Sequence, residues 1–136
     1  MSQLDVLAVR DNLPRVLAFV EEQLAGYGCG MKTSYEINLA VEEIYVNIAS
    51  YAYDKDLGSA VIVADILTDP LSLVLVFKDS GTPYNPLLKE DPDTGIPLKE
   101  RKAGGLGIYM VKKLVDDISY VYQDGMNILT ITKQLV

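Results

Sequence analysis

The feature that most constrains the fold of this chain is the dipeptide Asp124-Gly125, which stands between two apolar runs. The run before it reads ISYVYQ and the run after it reads MNILTITK. Asp-Gly favours the positive φ angles of a two-residue hairpin turn, so the two runs are predicted to be neighbouring antiparallel strands. A sheet of this kind must be covered by a second layer on its apolar face.

The rest of the chain supplies the other strands and that second layer. Thr33 and Glu36 form a T-x-x-E capping box, which predicts the start of a long helix. In chain order the predicted elements are a strand at 4–9, a helix from Asp11 or Asn12 to the glycines at 26–30, a helix from Thr33 to about Ala52, strands at 60–67 and 71–77, a helix at 106–116 and the closing hairpin. We therefore expect an α/β two-layer sandwich, with a mixed, mostly antiparallel sheet and three helices on one face. The whole chain, residues 1–136, is predicted to be one domain.

The connection between Ser80 and Gly104 has a different character. It contains four prolines with charged residues between them and has no clear period. A connection of this length inside a small domain is usually a functional lid or a disordered segment. We predict a lid over about residues 84–103.

Composition excludes several kinds of chemistry. The chain has no histidine, which excludes a Ser-His-Asp triad, histidine metal sites and histidine autophosphorylation. Cys29 is the single cysteine, so a disulfide framework or a thiolate metal cluster is not expected. The net charge of −7 disfavours direct binding to nucleic acid or to an anionic membrane. It favours a basic partner, or an anion that is bound together with a cation.

The sequence also predicts where the protein works. No apolar run approaches the ~18 residues that a membrane span requires, and no basic-then-apolar leader opens the chain. We expect a soluble, cytoplasmic protein.

The long helix carries two polar residues beside its apolar stripe. Glu43 and Asn47 are four residues apart and therefore share one face, ~40° apart around the helix axis. Glu42 points away from this face, toward solvent. Taken alone, the pair is better explained as two half-buried edge residues that hydrogen-bond locally.

Two further motifs follow along the chain. FKDSGTPYNP at 77–86 ends a strand in Asp79, whose carboxylate can accept a hydrogen bond from an amino group in a cleft. AGGLGIYMVKKLVDD at 103–117 places three glycines before a helix, where backbone N–H groups and the helix dipole favour phosphate. Each of these alone is also compatible with an ordinary turn or loop.

Together, in this order, the three motifs resemble the nucleotide-binding boxes of the gyrase-, chaperone-, MutL- and histidine-kinase-type ATPases. Within that superfamily the chain is similar to the stand-alone anti-sigma factor serine kinases of bacteria. The likeness includes DSGTPYNP, GGLGIYMVKKLVDDISY and NILTITK and covers about residues 4–134. It implies the Bergerat-type ATP-binding fold.

The resemblance also implies roles for residues on the long helix and on the strand that ends in aspartate. Glu43 falls on the position of the general base and Asn47 on that of the Mg²⁺ ligand. Asp79 falls on the position that reads the adenine amino group, with Gly81 beside the ring and Pro83 completing the motif. Tyr51 stands where the family often has a histidine, and tyrosine supplies no cation near neutral pH.

Further roles fall in the lid and in the glycine-rich box. The phosphate-binding box corresponds to Gly104, Gly105, Leu106 and Gly107, whose N–H groups would face the phosphates. Arg101 or Lys102 could reach the terminal phosphate. The implied cofactors are ATP or ADP with Mg²⁺.

The resemblance implies an anti-sigma factor that phosphorylates a serine on an anti-anti-sigma (STAS-type) protein and also holds a sigma factor. A homodimer is left open. The alternative is a regulatory module that binds its partners in a nucleotide-dependent manner without phosphotransfer. A detached histidine-kinase catalytic domain is disfavoured, because the chain has neither an acceptor histidine nor a dimerisation helix pair.

Overall fold

The structure is a computed structural model that describes residues 1–53, 57–88 and 105–136. Within these ranges it contains five strands and three α-helices. The elements are β1 (Ser2–Leu7), α1 (Leu13–Leu24), α2 (Met31–Tyr51), β2 (Ser59–Leu67), β3 (Ser72–Asp79), α3 (Gly105–Leu114), β4 (Asp117–Gln123) and β5 (Met126–Gln134). Short 3₁₀ turns cover Arg10–Asn12 and Pro86–Leu88.

The strands form a single sheet in the order β1-β2-β3-β5-β4. Each pairing among the described strands is antiparallel, so the parallel component that the expected mixed sheet allowed is absent there. The predicted hairpin joins β4 to β5, and its turn residues Asp124 and Gly125 have φ angles of 56° and 76°. These positive values are the ones that an Asp-Gly hairpin turn requires.

One face of the sheet packs against the helices and forms the core. Alternate residues of the central strands point to this face, for example Ile62 of β2 and Leu75 of β3. They join Val16 of α1, Ile44 of α2 and Val111 of α3 in one apolar cluster. The predicted two-layer α/β sandwich is confirmed.

The predicted capping box does not start α2. The helix begins at Met31 and is preceded by Gly30, which makes no side-chain capping bond. Glu36 instead forms an ion pair with Lys133 of β5 at 3.0 Å, and the same ammonium group donates to the backbone oxygen of Leu114 at 2.6 Å. A tertiary contact has taken the carboxylate that the local motif needed, and it fixes the C-terminal end of α3 against α2 and β5.

Candidate nucleotide-binding site

A cavity of about 450 Å³ lies between the C-terminal half of α2 and the ends of β3 and β5. Its wall is mostly apolar, with a few polar groups, which is the usual character of a small-molecule site. The lining residues are Ile44, Asn47, Ile48, Tyr51, Ala52, Phe77, Asp79, Thr82, Pro83, Tyr84, Pro86, Ile108, Tyr120, Asn127 and Leu129. The cavity therefore brings together residues from all three predicted motifs, with Ile108 as the contribution of the third.

Asp79 is the last residue of β3 and lies in the cavity wall with 5% of its surface exposed. Its Oδ1 accepts hydrogen bonds from the backbone N–H of Gly81 at 3.0 Å and from Nδ2 of Asn127 at 2.9 Å. Neither bond uses Oδ2. A carboxylate held in this way can accept a hydrogen bond from a ligand amino group in a water-poor environment.

Gly81 is required by packing against α2. A Cβ atom at this position would overlap the backbone carbonyl of Ala52, which already accepts a hydrogen bond from the N–H of Thr82 at 2.8 Å. The family resemblance implies that Gly81 also lies beside a bound ring. The structure shows a second reason for glycine here, which is the close approach of the β3 end to the last turn of the helix.

The two adjacent acids of α2, Glu42 and Glu43, differ in environment as helix geometry predicts. Glu42 is exposed, whereas Glu43 is half-buried. Glu43 faces the first turn of α3, because a Cβ atom on Gly107 would lie 2.5 Å from its Oε2. Asn47, one turn further along α2, lines the cavity. Glu43 and Asn47 thus stand along one face of α2, between the first turn of α3 and the cavity.

The described part of the glycine-rich box forms the start of α3. Gly105 and Leu106 are the first two residues of the helix, and Gly107 is buried in its first turn. The first N–H groups of such a helix lack partners within the helix and suit an anion. The predicted site residues Arg101, Lys102 and Gly104 lie outside the described residues, as does the predicted lid beyond Leu88.

The residues present fit a nucleotide better than a metal bound by protein side chains alone. Within the described ranges no group of three or more His, Cys, Asp or Glu side chains could hold a metal ion. The amide oxygen of Asn47 is a hard ligand of the type that Mg²⁺ accepts, and nucleotide phosphates normally complete such a site. The mostly apolar cavity with one buried carboxylate has the character of a small-molecule site that can hold a flat ring with a polar group.

Two further predicted positions lie at the cavity. Pro83 is in the wall, after β3, and Tyr51 is the last residue of α2. Tyr51 is 65% exposed while it lines the cavity, so it stands at the opening.

Asn127 and Tyr120 line the cavity but were not among the predicted site residues. Asn127 is 7% exposed and lies directly opposite Asp79 in the pairing of β3 with β5. The NILTITK motif contained the signal, because an asparagine in an apolar strand must find partners for its amide. Burial raises the pKa of the Tyr120 hydroxyl, against a hydrogen bond from the backbone of Tyr84, and the charge of Asp79 raises it further.

No helix in the described parts of the chain is long and apolar enough to cross a membrane.

Residues 7–133 match the family described as the histidine kinase-like ATPase domain. The chain belongs to this family. The resemblance inferred from the three motifs is confirmed, and with it the nucleotide-binding fold.

Relatives of this histidine kinase-like ATPase carry a more specific name. The chain is 29% identical over 121 residues to the serine-protein kinase RsbW of Bacillus mycoides. The aligned region covers 83% of this chain and 74% of that protein. It is 27% identical over 119 residues to the protein of the same name from Bacillus thuringiensis subsp. konkukian, with the same coverage.

Solved structures support the fold. A Mycobacterium tuberculosis chain with RsbU and RsbW domains superposes with a TM-score of 0.66 at 18% identity, and covers 99% of this chain. The histidine kinase domain of a blue-light activated histidine kinase from Erythrobacter litoralis gives a TM-score of 0.54 at 19% identity and covers 92%. This chain spans 33% of the first structure and 60% of the second.

Proposed function

We propose that this chain is an ATP-dependent serine protein kinase that acts as an anti-sigma factor. Its substrate would be a serine of an anti-anti-sigma (STAS-type) protein, and a sigma factor would be its second partner. The observation that carries the proposal is the shared face of α2, where Glu43 meets the first turn of α3 and Asn47 enters the cavity that contains Asp79. The serine-protein kinases matched over 83% of the chain support the same activity.

Asp79 would recognise the nucleobase. Its Oδ2, which is not used by Gly81 or Asn127, would accept from the adenine amino group, and the apolar wall would hold the ring. Guanine carries an oxygen instead of the amino group, so a carboxylate at this point discriminates against it.

Asn47 would hold Mg²⁺ together with the phosphates, and the metal would neutralise charge on the transferring group. This neutralisation matters because the chain has a net charge of −7 and must still hold an anion. The N–H groups at the start of α3 would bind the phosphates. Arg101 or Lys102, outside the described residues, would meet the terminal phosphate, as the resemblance implies.

Glu43 would act as the general base. It takes the proton of the serine hydroxyl as the serine oxygen bonds to the γ-phosphorus and the bond from that phosphorus to the bridging oxygen of ADP breaks. A positioned base of this kind contributes about 10²–10⁴-fold to a rate. Its place against Gly107 keeps the carboxylate close to the start of α3, where the phosphates would lie.

The acidic surface suits basic faces of protein partners, and it disfavours nucleic acid as a direct partner. The cytoplasm, where sigma factors and ATP occur, is the proposed location.

The test is phosphotransfer from radiolabelled ATP in the presence of Mg²⁺. Candidate STAS-type proteins encoded by neighbouring genes serve as substrates, each paired with variants whose serines are replaced by alanine. Label on one serine of one candidate is expected. Nucleotide-dependent binding of a candidate with no label transferred would instead favour a regulatory module without phosphotransfer. The specific observation in favour of that second function is Tyr51, which stands at the cavity opening in place of the family's frequent histidine.

A further inference from the structure

We infer that Asn127 is a positioning residue that orients the Asp79 carboxylate toward the nucleobase and couples it to the segment after β3. The inference rests on the proposed nucleotide site and adds a residue to it. Asn127 would act through Asp79 and would not itself contact the nucleotide.

The amide of Asn127 has no hydrogen-bonding capacity left for a ligand. Its Nδ2 donates to Oδ1 of Asp79 at 2.9 Å and to the backbone oxygen of Thr82 at 3.0 Å. Its Oδ1 accepts from the backbone N–H of Tyr84 at 3.1 Å and from the hydroxyl of Tyr120. Two donors and two acceptor sites are all that an asparagine side chain offers.

The chemistry of these four partners also fixes which way the amide points. The nitrogen faces a carboxylate and a carbonyl, which only accept, while the oxygen faces an N–H group and a hydroxyl. The reverse orientation would place the amide oxygen against both acceptors, so only one assignment agrees with the network.

These bonds divide the two oxygens of Asp79 between protein and ligand. Oδ1 accepts hydrogen bonds from the amide of Asn127 and from the N–H of Gly81, and these two bonds restrict rotation of the carboxylate. Oδ2 carries neither bond and remains for a donor in the cavity. Without Asn127 the carboxylate would keep only the Gly81 bond and could turn away from the productive orientation.

The same amide joins this carboxylate to the chain after β3. Thr82 and Tyr84 flank Pro83, and each forms one backbone hydrogen bond to Asn127. Thr82, Pro83 and Tyr84 also line the cavity. The wall on this side is therefore held to β5 by the same side chain that holds Asp79.

The test compares two nucleotides that differ in one group. ATP has the 6-amino group, and purine riboside triphosphate lacks it. Binding of each, with Mg²⁺, to wild type and to Asn127→Ala is measured by titration calorimetry. Losing the orientation of a single hydrogen bond to a charged group corresponds to about a tenfold loss of affinity. We expect that loss for ATP, and a loss below about threefold for the analogue, which has no group for Asp79 to bind.

Equal losses for both nucleotides would overturn the inference, because a general structural defect affects them alike. Asn38→Ala is the matched control: Asn38 is a half-buried amide on α2 outside the cavity lining, and its substitution should leave both affinities unchanged.

Tyr120→Phe keeps the inference testable if Asn127→Ala fails to fold. It removes one of the two donors to Oδ1 of Asn127 and leaves the Tyr84 bond. We expect the same preference for ATP in the loss of affinity, reduced to about two- to threefold.

A second measurement uses the ligand-free protein where Asn127→Ala does fold. The amide proton of Tyr84 should then exchange faster in Asn127→Ala than in wild type. Unchanged exchange together with unchanged ATP affinity would overturn the inference.

The outcomes separate this inference from the proposed function. A wild-type protein that binds neither nucleotide would overturn both. A wild-type protein that binds ATP with the expected dependence on Asn127, but transfers no phosphate, would support the inference and contradict only the proposed kinase activity.

Discussion

Gly81 and Gly107 lie at opposite sides of the site, and a methyl group at the two positions would meet very different neighbours. At Gly81 it would overlap the backbone carbonyl of Ala52, which the last turn of α2 holds in place. At Gly107 it would meet the end of the Glu43 side chain. The region around Asp79 is therefore built from backbone and buried hydrogen bonds. The position of the Glu43 carboxylate, by contrast, depends on the space that the missing side chain of Gly107 leaves on the surface of α3.

This difference suits the two tasks in the proposed function. Recognition of a nucleobase requires an acceptor in a fixed orientation, which two donors to one oxygen of Asp79 provide. A general base must approach a hydroxyl on another protein, and apo-state geometry of such a base commonly tightens only when the substrate is bound.

The largest expected effect is on the phosphotransfer rate, and it comes from removing the Glu43 carboxylate. Glu43→Ala should lower the phosphotransfer rate by about 10²–10⁴-fold, because the serine proton then has no positioned acceptor. ATP affinity should stay within about threefold, since Asp79 and the start of α3 are unchanged. Single-turnover transfer from labelled ATP and equilibrium binding measure the two quantities. Glu42→Ala is the matched control, because Glu42 is exposed on the neighbouring face, and an equal loss from it would refute the assignment of the base.

The next effect compares the two glycines directly. Gly81→Ala should lower the free energy of unfolding by about 3 kcal/mol, because the backbone of Ala52 cannot move aside without breaking its bond from Thr82. Gly107→Ala should leave stability unchanged or raise it by up to about 1 kcal/mol, because alanine is the better helix former. Urea denaturation gives both values.

Gly107→Ala, which leaves stability intact, is expected to change the rate of phosphotransfer. Gly107→Ala should slow phosphotransfer, because its methyl group displaces the Glu43 carboxylate. Folded Gly107→Ala protein with a wild-type transfer rate would show that the contact between Gly107 and Glu43 has no functional role.

A smaller effect tests the Asp79 side. In Asp79→Asn the amide oxygen must keep facing the N–H of Gly81 and the amide of Asn127, so the new NH₂ group takes the place of Oδ2. A donor then faces the adenine amino group. Losing this charge-assisted bond costs ~1.5–3 kcal/mol, which corresponds to at least about a tenfold loss of ATP affinity. An unchanged dissociation constant would place the adenine site elsewhere.

The sequence predicted those parts of the fold and site that local patterns determine. The hairpin at Asp124-Gly125 depends on two adjacent residues, and the pairing of Glu43 with Asn47 on one face depends only on helix geometry. The capping box at Thr33 was wrong because the helix begins two residues earlier, at Met31, and Glu36 pairs with Lys133, 97 residues later in the chain. Asn127 was missed for a similar reason. Its role depends on the register that places it opposite Asp79, and no local pattern contains that register.

The smallest expected effect comes from a substitution on α2 outside the cavity. It serves as a reference for the substitutions around Asp79 and around Glu43. Tyr45 is fully buried, and its hydroxyl donates to the backbone oxygen of Val9 at 2.7 Å. The backbone oxygen of Leu7 lies within hydrogen-bond distance of the same hydroxyl, at 3.1 Å. Both oxygens keep another donor from Asn12, so Tyr45→Phe leaves neither of them unpaired. The substitution should therefore lower the free energy of unfolding by only about 1 kcal/mol. Phosphotransfer and ATP affinity should not change.

The pH dependence identifies that hydroxyl as the source of the effect. Burial raises the pKa of Tyr45 above its ordinary value, against the opposing effects of a hydrogen bond from the backbone of Val9 and of the charge of Arg15. The folded protein thus keeps the phenol proton at a pH where the unfolded chain, with a tyrosine pKa of about 10, releases it. The stability that Tyr45 contributes is fully present below about pH 10 and is lost as the pH rises further. Urea denaturation at pH 8 and at pH 10.5 should show the difference between wild type and Tyr45→Phe shrinking, and a constant difference would contradict this account of the hydroxyl.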